Sequence, residues 1–173
     1  MKSPIDLSRL AEMHPNLGRD VASVMTLRAS LGLARNKHSS GVELQTDIEQ
    51  EKSIATIVWP TADLESAQQH DAKRITEDGA EAIALAVAFE TQDWCVDRRL
   101  QQGEHADFLL KNQRTGAKIA FEVSGVDRGG IQKRLREKLA QVAENADYED
   151  RCAAVVGFEK PEIAMCSVER TAA

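Results

Sequence analysis

Asp107 and Glu122 are the residues of this chain whose placement could do chemistry. Asp107 stands in Gly103-Glu104-His105-Ala106-Asp107-Phe108-Leu109-Leu110, and Glu122 in Ile119-Ala120-Phe121-Glu122-Val123-Ser124-Gly125. Each segment reads as a short, largely apolar strand, and Lys111-Asn112-Gln113-Arg114-Thr115-Gly116 reads as the turn between them. Carboxylates on neighbouring strands of one hairpin can converge on one metal ion. Carboxylate oxygens suit Mg²⁺, which takes one or two of them, keeps several waters and accepts phosphate oxygens. Such an ion polarises a phosphodiester and stabilises its leaving oxygen. The chemistry expected of the pair is therefore metal-dependent phosphodiester hydrolysis.

The strands must deliver both acids to one face. Side chains alternate along a strand, so Lys118, Ala120, Glu122 and Ser124 share a side, opposite Ile119, Phe121 and Val123. Asp107 falls on the side of Leu109, and a register that places it near Glu122 is easily drawn. The run from Ile75 to Phe89 is the clearest helix; its second half is apolar nearly all round and should be buried. Glu77 and Glu81 share a face of its first half, so this helix could carry a third carboxylate, Glu81, toward the pair. Trp94 to Leu100 reads as a strand. After Gly129-Gly130 a further helix is expected, with Ile131, Leu135, Leu139 and Val142 as its apolar stripe. From Arg128 to Lys138 there are five basic residues against one acid, Glu137. Lys133, Arg134, Arg136 and Lys138 on this helix, with Arg128 before it, form a candidate phosphate-contacting face. The two glycines would leave helix-start N–H groups free for an anion. Cys152 to Phe158 and Ile163 to Val168 read as strands. Helices that cross between strands imply a mixed sheet of four or more strands flanked by helices.

Residues 1–70 read as an N-terminal extension, and 71–173 as the α/β core. Ser3 and Pro4 suit a helix start, with Ile5, Leu7 and Leu10 carrying a short helix to about Met13. His14-Pro15 ends it, and Asn16 is placed to cap a second helix containing Leu17, Val21, Val24, Met25 and Leu31. Val42, Leu44, Thr46 and Ile48 alternate with polar residues, and Ile54 to Trp59 is β-rich, so the two predict a hairpin. Thr61 to Gln69 is polar with helical composition.

The length of 173 residues, 42% hydrophobic and 29% charged, fits a globular chain able to bury an ordinary core. No run reaches the length of a membrane span. Met1 to Asp6 has no apolar leader core, and Cys95, Cys152 and Cys166 are too scattered for a zinc site or disulfide framework. A reducing cytoplasm is the expected setting. The net charge of −6 opposes non-specific coating of nucleic acid but allows a local basic face. Residues 1–40 carry six basic and three acidic residues, and 41–70 one basic and six acidic.

The order of a helix with Glu81, a strand, Asp107, Glu122-Val123-Ser124 and then a basic helix resembles the core of the PD-(D/E)xK nuclease superfamily, over roughly residues 72–160. The resemblance implies a restriction endonuclease-like αβββαβ core, a mixed four-stranded sheet between helices. It implies Mg²⁺ or Mn²⁺ held by Asp107 and Glu122, with Glu81 as accessory ligand. It implies DNA or RNA as substrate, in defence, repair or mobile-element processing, and a homodimer in many members. One position departs. Where the family places a lysine that positions the attacking water, this chain has Ser124, whose hydroxyl brings no charge. Lys118, on the same strand face, and Lys133, on the next helix, are the expected substitutes.

Two other readings stand beside the nuclease. One is a nuclease fold without catalysis that binds nucleic acid or a protein partner, which the absent lysine favours. The other is a protein-interaction module whose carboxylates face solvent. His105 lacks any metal-ligand spacing and reads as an ordinary polar residue. Trp59 and Trp94 read as core anchors. Neither a G-x-S-x-G elbow nor a phosphate-binding glycine loop is present.

Overall fold

The computed structural model describes residues 3–170. Met1 and Lys2, part of the stretch read for a leader, and residues 171–173, the end of the expected core, lie outside it. The chain is an α/β protein built on one curled, mixed sheet of eight strands packed with helices. In chain order the elements are β1 (Ile5–Asp6), α1 (Leu10–Met13), α2 (Arg19–Arg35), β2 (Val42–Ile48), β3 (Glu51–Val58), α3 (Ala72–Gln92), β4 (Trp94–Arg99), β5 (Phe108–Asn112), β6 (Lys118–Val126), α4 (Gln132–Ala143), β7 (Asp150–Gly157) and β8 (Glu162–Ser167). Across the sheet the order is β1-β3-β2-β8-β7-β6-β5-β4. The N-terminal hairpin β2–β3 extends this same sheet through parallel pairing of β2 with β8. No described helix is long and apolar enough to cross a membrane. All three cysteines are unpaired.

The apolar run after Ile75 is buried as its composition requires: Ala80 through Ala88 are at most 8% exposed. Its helix α3 and the helix α2 cover one face of the sheet, and α4 covers part of the other. α3 approaches its neighbours backbone to backbone. A Cβ on Gly79 would lie 3.0 Å from the Cα and N of Ala29 in α2, and one on Gly125 of β6 would overlap the Thr76 carbonyl oxygen in α3. These two glycines set how closely the first half of α3 sits against α2 and β6.

Two local expectations are corrected. Ser3-Pro4 does not begin a helix. Ile5–Asp6 instead pairs with β3 as a short parallel edge strand, and Asp6 then caps a 3₁₀ turn, accepting the Ser8 N–H at 2.9 Å. Proline has no N–H to give a ladder and is tolerated at such a strand start. Asn16 does not cap α2; Gly18 holds that position, and the Asn16 amide donates to the Asp97 carbonyl at 3.2 Å. Leu64–Gln69 forms a 3₁₀ helix started by Asp63. The β2–β3 turn, Glu49-Gln50, has φ of +51° and +68°, the sign a two-residue hairpin turn needs though neither residue favours it. Glu49 is held there by its N–H on the Met165 carbonyl (2.9 Å) and its carboxylate on the Ser167 N–H (2.7 Å).

The free edge of β4 is closed by side chains. Val96 N–H donates to His14 Nδ1 at 3.1 Å, which places the ring proton on Nε2, and Nε2 donates to the Leu85 carbonyl at 3.0 Å. His14 is fully buried, and desolvation holds its pKa down at about 4, from 6.5. The neutral ring thus ties α3 to β4, and protonation would set an N–H against an N–H.

This packing sets the response to pH and to substitution. Since the unfolded chain binds the His14 proton more readily, stability should be unaffected above pH 6.5 and fall as pH drops toward 4, by roughly 3 kcal/mol. The slope should shrink in His14→Gln, as read by denaturant melts across that range. Gly79→Ala, which would gain about 1 kcal/mol in an open helix, should instead lower the melting temperature, because the methyl meets backbone that cannot turn aside.

A candidate active site at the end of the β5–β6 hairpin

Asp107 ends the β5–β6 ladder. Its N–H still donates to the Phe121 carbonyl at 3.0 Å, but the next ladder donor, Val123 N–H, is taken by Asp107 Oδ2 at 2.8 Å. The register pairs Phe108 with Phe121 and Leu109 with Ala120, so one step further sets Asp107 opposite Glu122. The expected facing pair is therefore present. Beyond it β6 runs on without β5 and pairs with β7 on its other side. The loop from Leu100 to Asp107 closes over this end of the sheet. Asn145 Nδ2 donates to the Glu104 carbonyl at 2.6 Å, and Arg98 grips the Glu104 carboxylate at 3.1 and 3.3 Å. His105 lies in that loop with φ of +55°, its side chain half exposed and Nδ1 3.6 Å from Glu144 Oε2.

Cations meet the buried acids from two sides. Lys138 Nζ is 2.6 Å from Glu122 Oε1 and 2.9 Å from Gln141 Oε1, and the Glu122 side chain is only 3% exposed. Arg134 Nε donates to Ser124 Oγ at 2.9 Å. The spacing explains both contacts. Four residues of helix rise about 6 Å and two residues of strand about 6.6 Å, so Arg134 and Lys138 on α4 match Ser124 and Glu122 on β6. On the α3 side, Arg99 binds Glu81 through two hydrogen bonds of 2.7 and 3.3 Å and lies 4.4 Å over the Phe108 ring. A bulge brings Arg99 there. The β4–β5 register skips Asp97 between Val96 and Arg98, which turns Arg99 to the face of Phe108.

The three acids expected as ligands do not converge equally. Asp107 and Glu122 face each other, whereas Glu81 is engaged by Arg99. Among the described residues no group of three His, Cys, Asp or Glu side chains is disposed to hold a metal ion. Asp107 and Glu122 alone offer an all-oxygen pair, the donor type of a hard divalent cation. Neither expected substitute lysine reaches them. Lys118 Nζ is bound to Asp97 Oδ2 at 2.6 Å, and Lys133 is exposed on the outer side of α4. Lys138, expected only as a backbone contact, is the lysine at Glu122. The basic face is thus divided: Lys138 is drawn in to Glu122, Arg134 stays exposed while bonding Ser124 and Glu137, and Arg128, Lys133 and Arg136 are exposed and make no ion pair among the described residues. Gly129-Gly130 lies ahead of the helix start, since α4 begins at Gln132, and Gly129 N–H donates to Glu159 Oε2 at 2.7 Å.

Burial pushes the carboxyls of Asp107 and Glu122 above their usual range, and for Glu122 the Asp107 charge adds to the effect while Lys138 opposes it. Glu81 is raised chiefly by burial, against the pull of Arg99. The two carboxyls act on each other: the Asp107 charge raises Glu122, and a hydrogen bond with Glu122 works against the burial that raises Asp107. Two partly desolvated acids beside one lysine can trade protons or exchange their cation, and an exposed arginine face adjoins them. Arg99 was not legible as part of this site, because the bulge that turns it inward leaves no mark on strand alternation. The i, i+4 pair Arg134 and Lys138, set after Glu122-Val123-Ser124, was the available signal for Lys138. Nothing matches the chain among protein-family models, curated proteins or solved structures.

A folded-state carboxyl raised above its unfolded value makes the fold lose stability as pH rises from the ordinary carboxylate range through the raised value. Asp107→Asn keeps an oxygen for the Val123 N–H and removes that charge. It should melt higher than wild type at neutral pH, with the difference vanishing in acid. Lys138→Met should cost about 3–5 kcal/mol by leaving a buried carboxylate unpaired, and Lys138→Met/Glu122→Gln should recover most of it. Thermal melts of the four proteins check both outcomes.

Proposed function

We propose that the chain is a metal-dependent nuclease that hydrolyses phosphodiester bonds of DNA or RNA, with a restriction endonuclease-like core. The observation that carries this reading is the facing pair Asp107 and Glu122 with Lys138 Nζ 2.6 Å from Glu122. The order α3-β4-β5-β6-α4-β7, in which β4, β5 and β6 run antiparallel and β6 pairs parallel with β7 across α4, supports it, since it follows the αβββαβ order.

Asp107 and Glu122 would hold a Mg²⁺ or Mn²⁺ ion, which supplies charge to the phosphodiester and its leaving oxygen. Lys138 takes the place left by Ser124. Its ammonium, freed from Glu122, orients the attacking water and offsets the charge that grows on phosphorus-bound oxygen. Ser124 instead fixes Arg134, whose guanidinium steadies a neighbouring phosphate. Arg128, Lys133 and Arg136 would meet the nucleic-acid backbone outside. Glu81 acts through Arg99, holding that cation next to Asp107.

A second reading has its own observation. The acids already have internal cations in Arg99 and Lys138, so the cluster is charge-compensated as it stands. That suits a nuclease fold used only to bind nucleic acid or a protein. Calorimetric titration with Mg²⁺ and Mn²⁺, with plasmid and single-strand cleavage on the same samples, separates the two. The nuclease reading expects binding and cleavage that vanish in Asp107→Ala/Glu122→Ala. It expects Lys138→Ala to bind metal yet cleave roughly 10²–10⁴-fold more slowly, the range of a positioned proton-handling group. Salt-dependent nucleic-acid binding without cleavage by wild type would reject the nuclease and support the binding module.

A further inference from the structure

A hollow of about 510 Å³ opens between α2 and α3 beside Arg99. α2 contributes Val21, Val24 and Met25, α3 contributes Arg74 and Asp78, and Arg99 enters from β4. Val21 and Val24 are 44% and 43% exposed, so an apolar surface stands free there. Arg99 is a fixed plate. Its guanidinium is held by two hydrogen bonds to Glu81 and lies 4.4 Å over the Phe108 ring, yet its side chain stays 45% exposed. A planar guanidinium stacks on aromatic rings, and with one side on Phe108 its other side remains for a second ring. The acids near it are largely matched. Asp78 is paired with Arg28 and Glu81 with Arg99, while Arg74 is exposed and makes no ion pair among the described residues. α2 and α3 run antiparallel, since Arg28 meets Asp78 and Arg35 meets Thr76. Asp20, the other acid of the hollow, comes before Arg28 on α2, and Arg74 before Asp78 on α3, so these two lie at opposite ends.

On the nuclease reading of the neighbouring pair Asp107 and Glu122, we propose that this hollow holds one unpaired base of the substrate strand. The base stacks on Arg99 against Val21 and Val24, and its phosphate lies on Arg74, away from Asp20. An apolar surface beside a planar cation recognises the face of a ring. A duplex offers only base edges and phosphates, whereas an unpaired base offers its face. Stacking on a guanidinium is tolerant of sequence, because every base has a π-face. The hollow therefore selects the state of the strand and not its sequence. It also adjoins the acids, since the Arg99 charge acts on Asp107. A base seated on Arg99 brings its strand to the acid pair, and the preferred substrate is single-stranded DNA or RNA.

Fluorescence anisotropy with a short labelled single strand, and with the same backbone carrying abasic residues, tests this in metal-free buffer, where cleavage plays no part. Wild type should bind the base-bearing strand about tenfold more tightly. Val21→Ser/Val24→Ser changes exposed positions, and Arg99→Lys keeps a charge for Glu81 but loses the plane. Each should remove that advantage while leaving abasic binding in place. Arg74→Gln should weaken both strands alike and lower the salt dependence by about one counterion. Equal binding of the two strands by wild type, or none, would overturn the proposal. So would an advantage that survives both Val21→Ser/Val24→Ser and Arg99→Lys, since the base would then sit elsewhere. A free mononucleotide that competes as well as the strand would overturn it too, because the hollow would then serve small ligands. A protein with the expected pattern that cleaves nothing in Mg²⁺ would refute the nuclease and leave the base site standing; one that cleaves without the pattern would do the reverse.

Discussion

The structure depends on how closely α3 lies between α2 and β6. Gly79 lets its backbone meet Ala29, and Gly125 lets the β6 backbone meet Thr76. Both contacts fall in the first half of the helix, close to Glu81. Side chains larger than hydrogen at either point would lift the helix from the sheet, since interiors at crystal-like density leave no room to absorb a methyl. The small residues that follow, Ala80, Ala82, Ala84, Ala86 and Ala88, continue the same close packing. Position and polarity are thus linked. The contact that packs the core also lowers Glu81 to the level of the hairpin end, where Arg99 receives it.

The acids at that end are costly to the fold. Glu122 is nearly sealed, Asp107 stands opposite, and burial works against both charges. Each is held by something specific: Lys138 for Glu122, the Val123 N–H for Asp107, Arg99 for Glu81. A core built only for stability would place apolar side chains of like volume here, as buried ion pairs often give no net gain over them. An arrangement that retains charge where it destabilises is characteristic of sites with a chemical role.

The N-terminal segment is structural for this site. His14 and Asn16 close the edge of β4, and that strand carries Arg99 beyond its bulge. β1 closes part of the opposite edge, and β2–β3 widens the sheet through β8. One sheet edge is therefore closed by side chains, and the other is joined by β1 at Ile57 and Val58.

Much of this was legible in the sequence, for reasons that can be named. Alternation along 107–124 and the apolar run after Ala80 read out correctly, because strand and helix periods are local and burial of one face is written directly into them. The facing of Asp107 and Glu122 followed from that alternation and a short turn. The first residues misread because Ser3-Pro4 is as suited to an edge strand as to a helix start, and only pairing with β3 decides between them. The partners of the acids were also beyond local pattern. Lys138 meets Glu122 because α4 packs along β6, while Lys118 is held by Asp97 and Lys133 is exposed; Arg99 is brought in by a single-residue bulge. Residue order alone was enough to assign side chains to a strand or helix face, since that depends on backbone period. Which cation meets which acid was settled by packing in three dimensions, since a shift of one residue in register or one turn of a helix exchanges the partners without changing any local pattern.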